Sequence, residues 1–172
     1  MRLFISIEIP QEIKKEIEKI QNCLPEFQGK KTEFENLHLT LKFLGEFSEN
    51  KLNEIKSALS QVKCSSFETK IYQLGFFSPS QIRIIWLSMS NCEILQKEID
   101  EKLSNIFSKE KRFMSHLTIA RIKEVENKKR FIELINKINI PEMRFQINHF
   151  NLMQSYLKSS GPEYKILEKF NL

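Results

Sequence analysis

The chain has 172 residues, 41% of them hydrophobic and 28% charged, with a formal net charge of +5 at neutral pH. Those figures fit one folded domain that buries about two-thirds of its unfolded surface, and they exclude disordered, collagenous and membrane-spanning chains, since no stretch approaches the ~20 apolar residues of a span. The positive excess suits an anionic partner, but it is scattered among almost as many acids and counts equally for plain solubility.

In chain order, "MRLFISIEIP" alternates with period two, Leu3, Ile5, Ile7 and Ile9 sharing a face. Glu8 interrupts the run and no small-residue cleavage site follows, so it reads as a strand and not as a secretion signal. Pro10 and Gln11 open a helix striped by Ile13, Ile17, Ile20 and Leu24, with Pro25 past its end. A loop leads to a strand carrying His38, Leu39 and Thr40; Gly45 follows, and Ser48 is placed to cap a helix striped by Leu52, Ile55, Leu59 and Val62. A third strand covers about residues 67–74.

The order then begins again. "RIIWLSM" at 83–89 reads as a strand, and Asn91 as the cap of a helix with Leu95, Ile99, Leu103 and Ile106 inward. A second His-Leu-Thr strand starts at His116. Asn127 caps a helix bearing Phe131, Leu134, Ile135 and Ile138, "MRFQINHFNLMQS" supplies another strand, and a last one lies near residues 164–172. To within one position the same offset separates His38 from His116 and Ser48 from Asn127, which is the signature of a duplicated unit. Two copies of one unit tend to pack about an approximate two-fold axis, facing His38 and His116 across a shared groove. Cys23, Cys64 and Cys92 are odd in number and lack metal-ligand spacing, so they read as reduced, small core residues of a cytoplasmic protein. The clusters "KEKR" and "NKKR" read as solvated loop and helix-start charge.

Residues i and i+2 of a strand point the same way, so His38 sits beside Thr40 and His116 beside Thr118. Imidazole titrates near pH 6.5, so one ring can accept a proton while its partner, kept cationic by a bound phosphate, donates one. The two hydroxyls can hold non-bridging oxygens. A lone HxT is more often an ordinary strand with a satisfied histidine; two in register within a repeat point to a site. His149 has no threonine two residues on and reads as structural or exposed. A metal centre is the weaker use of the pair, because no Asp, Glu or Cys stands at ligand spacing and threonine is a poor zinc ligand.

These residues resemble the two HxTx signatures of the two-histidine phosphoesterases. Within that superfamily the chain is similar to the RNA 2′,3′-cyclic phosphodiesterases, also called 2′-5′ RNA ligases, at "MRLFISIEIP", "HLTLKFLGEF", "RIIWLSM", "HLTIARIK" and "LKSSGPEYKIL". The resemblance implies an α+β fold over residues 1–172: bilobal, with mostly antiparallel sheets lining a central groove, helices outside, a pseudo-two-fold internal repeat, and the chain ends paired in one lobe. It implies hydrolysis of a terminal RNA 2′,3′-cyclic phosphate to a 2′-phosphomonoester, with no metal or cofactor, and a reverse ligation by an RNA 5′-hydroxyl. His38 would be the general acid, His116 the base, and Thr40 and Thr118 the phosphate holders. Arg121 would neutralise the phosphate, and Phe43 would stack a terminal base. The expected partner is RNA with a cyclic-phosphate end, tRNA fragments among the candidates, and the expected state is a cytoplasmic monomer away from membranes. Strict alternation opposes part of this: it sends Phe43 into the core and Arg121 away from the groove unless a bulge intervenes, and gives Lys42 the groove parity. The alternatives are an RNA-end-binding module without catalysis, and the same fold acting on linear 2′-5′ oligonucleotides or small nucleoside cyclic phosphates.

Overall fold

The period-two stretch at the start forms strand β1 (Arg2–Glu8), and the residues just after it turn into helix α1 (Gln11–Asn22) with Pro10 at its N-cap. The computed structural model describes residues 1–158 and 161–172; Ser159 and Ser160 of "LKSSGPEYKIL" lie outside the described residues. The remaining elements are β2 (Gln28–Lys31), β3 (His38–Glu46), α2 (Leu52–Leu59), β4 (Phe67–Phe76), β5 (Ile84–Met89), α3 (Glu93–Lys102), β6 (His116–Glu124), α4 (Lys128–Ile135), β7 (Met143–Ile147), β8 (His149–Lys158) and β9 (Gly161–Asn171). The fold is α+β, with one antiparallel sheet in the order β7-β4-β5-β6-β3-β1-β8-β9, and β2 paired to β6 off that path.

The sheet consists of two four-strand halves that meet where β3 lies antiparallel to β6, with Leu39 opposite Leu117. The repeat is thereby visible, but it is interleaved. Strand β4 of the first unit pairs with β5 of the second, and β8 of the second pairs with β1 of the first. The chain ends do come together, in β1, β8 and β9. Helices cross over in the same sense. α1 packs on β6, where buried Gln21 donates from Nε2 to the Ile119 carbonyl at 2.8 Å, and α3 packs on β3. Ile13, Ile17 and Ile20 of α1, and Leu95 and Ile99 of α3, are buried against the sheet, each contributing about 1.5–3 kcal/mol of transfer free energy.

Several local readings need correction. Ser48 does not cap an α-helix: it precedes a 3₁₀ turn at Glu49–Lys51, its hydroxyl bonds Asn50, and α2 starts only at Leu52. Asn91 is not a cap either. It takes a left-handed conformation (φ 65°) that its short polar side chain tolerates, and its amide donates to the Glu68 carbonyl at 2.9 Å, leaving Cys92 at the start of α3. Asn127 does cap α4, accepting from the Arg130 amide at 3.0 Å. Leu134 faces outward, because the inward stripe of that short helix is filled by Phe131 and Ile135. "MRFQINHFNLMQS" is two strands broken at Asn148, one on each half of the sheet. Cys92 is buried as expected, whereas Cys23, just past the end of α1, is exposed. Strand β2 stands in the stretch read as loop; its four residues are exposed, so no apolar alternation announced it.

Candidate active site

Both His-Leu-Thr strands open on a histidine whose ring is fixed by the backbone two residues earlier. His38 Nδ1 lies 2.7 Å from the Asn36 carbonyl oxygen, and His116 Nδ1 lies 2.8 Å from that of Met114. A carbonyl only accepts, so Nδ1 carries the hydrogen on each neutral ring and Nε2 is left to face the groove. His38 Nε2 is 3.0 Å from the Thr40 hydroxyl. Asn36 is itself anchored, donating from its side chain to the Pro162 carbonyl at 3.1 Å and so tying the first histidine to β9.

The rings converge because β3 and β6 are antiparallel neighbours. Continuing the Leu39–Leu117 register one residue either way sets His38 against Thr118 and Thr40 against His116 on one face. A cavity of about 590 Å³ opens over that face, lined by His38, Thr40, His116 and Thr118 together with Arg121 and Tyr164. Arg2, Lys30 and Lys31 add positive charge to its wall against Glu33. Arg121 makes no ion pair among the described residues, so its charge is available to an anion.

A bulge decides what else reaches the groove. In β3 the pairing with β1 jumps from Ser6–Thr40 to Ile5–Lys42, leaving Leu41 unpaired, and in β6 the pairing with β5 jumps from Trp86–Thr118 to Ile85–Ala120, leaving Ile119 unpaired. Two successive residues then face the core in each strand, Leu41 with Lys42 and Ile119 with Ala120. Beyond them the alternation is inverted. Arg121 therefore reaches the groove, as the resemblance required, and Phe43, read from alternation as a core residue, is 70% exposed at its mouth. Lys42, given groove parity by counting, is instead 3% exposed beneath the sheet. There its Nζ lies 2.5 Å from Asp100 of α3 and donates to the Ser108 carbonyl at 2.8 Å. Burial opposes ionisation of Asp100, but hydrogen bonds from Lys42, the Glu110 amide and Gln96 hold its carboxyl below the ordinary aspartate range.

His38 packs against Phe4 (ring centroids 5.0 Å apart) and edge-on to Tyr164 (5.1 Å). Burial among these rings draws its pKa down to about 4; the Asn36 carbonyl pulls upward, while Lys14, Arg121 and His116 add to the depression. In the free protein at neutral pH this ring is uncharged. His149 lies elsewhere, beside Glu8 and Asn148, as its lack of a threonine companion suggested. Among the described residues no three His, Cys, Asp or Glu side chains converge as a metal-ligand set, and no helix is long and apolar enough to cross a membrane.

The family model for LigT-like phosphoesterases matches residues 7–86 and 91–164, a span that holds both histidines and both threonines. The chain belongs to the LigT-like phosphoesterase family. Among curated relatives it is similar to proteins named RNA 2′,3′-cyclic phosphodiesterase from Methanocaldococcus jannaschii, 40% identical over 99% of this chain and 100% of the relative. A relative of the same name from Thermotoga maritima is 34% identical over 97% and 93%. Of solved structures, TT0787 of Thermus thermophilus superposes with a TM-score of 0.81 at 26% identity, covering 100% of this chain and 98% of that one.

In this LigT-like phosphoesterase the residues that sequence reasoning missed are the ones behind the bulges. Gln21, read only as part of a helix, donates to the Ile119 carbonyl, which also accepts from the Thr32 amide, and Lys42 beneath β3 is held by Asp100 and the Ser108 carbonyl. Gly29 belongs with them: at φ 152° a Cβ would stand 2.2 Å from the Arg121 carbonyl oxygen, so only glycine lets β2 lie against the stretch that aims Arg121. Gly29→Ala is expected to cost about 1–3 kcal/mol and lower the melting temperature by several degrees. An unchanged melting curve would show that β2 is not held this way.

Proposed function

We propose that the protein hydrolyses the terminal 2′,3′-cyclic phosphate of RNA to a 2′-phosphomonoester, His38 and His116 serving as acid and base. The observation that carries this reading is one cavity holding two imidazoles, each with Nδ1 tied to a carbonyl and each followed by a threonine on the same face. The names and identities of the relatives support the substrate class. His116 Nε2 takes a proton from water as it attacks phosphorus, and His38 protonates the departing 3′ oxygen. Thr40, Thr118 and Arg121 hold the non-bridging oxygens, and Phe43 stacks the terminal base. Ligation is the same displacement with an RNA 5′-hydroxyl in place of water, forming a 2′-5′ linkage. A binding module without catalysis would want fixed cations more than a titratable pair. Turnover of a cyclic-phosphate oligonucleotide in excess chelator tests the reading; no product beyond background would end it.

The depressed pKa of His38 gives a second check. A negatively charged phosphate favours the imidazolium, so substrate binding raises the His38 pKa and brings its proton into the complex. The limb of kcat/KM that reports His38 in the free protein should lie near its lowered value of about 4. The acid limb of kcat, which reports the bound state, should lie at higher pH. Coincident limbs near the ordinary histidine value would contradict the burial of that ring.

A further inference from the structure

We propose that the groove has a second nucleotide subsite beside His116, built on Phe77. It takes the base of the strand that supplies the 5′-hydroxyl in ligation, or of the departing nucleoside when a 2′-5′ linkage is opened. The inference rests on the phosphodiesterase reading and names a further substrate contact for it.

The subsite is an aromatic tile laid across three strands. β5 sets Trp86 opposite Thr118 and Ser88 opposite His116, so the indole lies on the groove face. β4 sets Gly75 opposite Trp86, and a Cβ there would stand 2.4–2.9 Å from atoms of the six-membered ring, so the indole lies flat on the glycine. Phe77, just after β4, packs on that indole at 5.8 Å between centroids and lies T-shaped to the His116 ring at 5.1 Å and 86°. Even so, Phe77 remains 52% exposed, and Met114, whose carbonyl holds His116 Nδ1, is 39% exposed.

In-line displacement fixes which nucleoside meets this surface. The entering and leaving oxygens stand on opposite sides of phosphorus, and the base His116 must stand next to the entering one. Water would need no platform there. A nucleoside carrying the attacking 5′-hydroxyl must place its base against what flanks His116, and an exposed aromatic face is what a base stacks on. In the opening direction the 3′-hydroxyl of the first nucleoside attacks phosphorus, the P–O3′ bond forms and the P–O5′ bond breaks. His38 takes the hydroxyl proton and His116 delivers one to the 5′ oxygen, with no change of oxidation state. Phe43 in one half of the sheet and Phe77 in the other then hold the two bases across the phosphate.

The test compares two substrates on the intact protein: hydrolysis of cytidine 2′,3′-cyclic monophosphate, which leaves the second subsite empty, and opening of a 2′-5′-linked cytidine dinucleotide, which fills it. Phe77→Leu keeps bulk against Trp86 and His116 but removes the ring face. It is expected to lower kcat/KM for opening about tenfold or more relative to hydrolysis, mainly through KM, and Phe77→Tyr is expected to restore the ratio. Equal losses on both substrates, or none on either, would overturn the subsite. So would a wild-type protein that hydrolyses the cyclic nucleotide but leaves the dinucleotide intact; one that turns over neither overturns the phosphodiesterase reading beneath it.

Discussion

His116→Ala is expected to lower kcat/KM for cyclic-phosphate hydrolysis by about 10²–10⁴, and His38→Ala to do the same, with excess chelator making no difference to either. On the proposed mechanism the two rings act on one phosphorus as a unit, so the double variant should lose little more than either single one. Thr40→Ala and Thr118→Ala should lose less, because on the same proposal each removes one hydrogen bond to an oxygen that Arg121 also serves. His116 is only part-buried, so its alanine variant should melt close to the wild type, whereas His38→Ala also gives up packing against Phe4 and Tyr164 and should melt somewhat lower. Full activity of the His116→Ala protein would refute the acid–base assignment outright.

Lys42→Met should cost about 3–5 kcal/mol and lower the melting temperature by roughly 10 °C. The charge itself is replaceable; the loss arises because Asp100 stays behind, 5% exposed and without its cation. The paired change Lys42→Met with Asp100→Leu should therefore recover much of the stability, as replacing a buried ion pair by apolar residues of similar volume often does. The sign with pH follows from the depressed carboxyl: the stabilisation is present above the ordinary aspartate value and is lost as pH falls through the lowered one. A single variant as stable as the wild type would mean that Asp100 is not buried in the way described.

Much of this architecture was legible in the residues. Period-two and helical stripes found β1, α1, β3, α3 and β6 because each carries a regular apolar stripe into the core, and the doubled His-Leu-Thr located the rings because a strand puts i and i+2 side by side. What stayed hidden depends on pairing partners that a single strand does not encode. The bulges at Leu41 and Ile119 show only in the register with β1 and β5, and they reverse the facing of Phe43, Lys42 and Arg121 at once. β2 carries no apolar residue to betray it, and Ser48 and Asn91 are cap-type residues whose side chains found other partners.

The interleaving of the repeats sets how the molecule comes apart. β4 and α1 of the first unit lie on strands of the second, while β8 and α3 of the second lie on strands of the first. Loosening either half would strip the cover from its twin, so heat or urea should take the whole sheet down in one cooperative step, and neither half of the polypeptide synthesised alone should hold a shape.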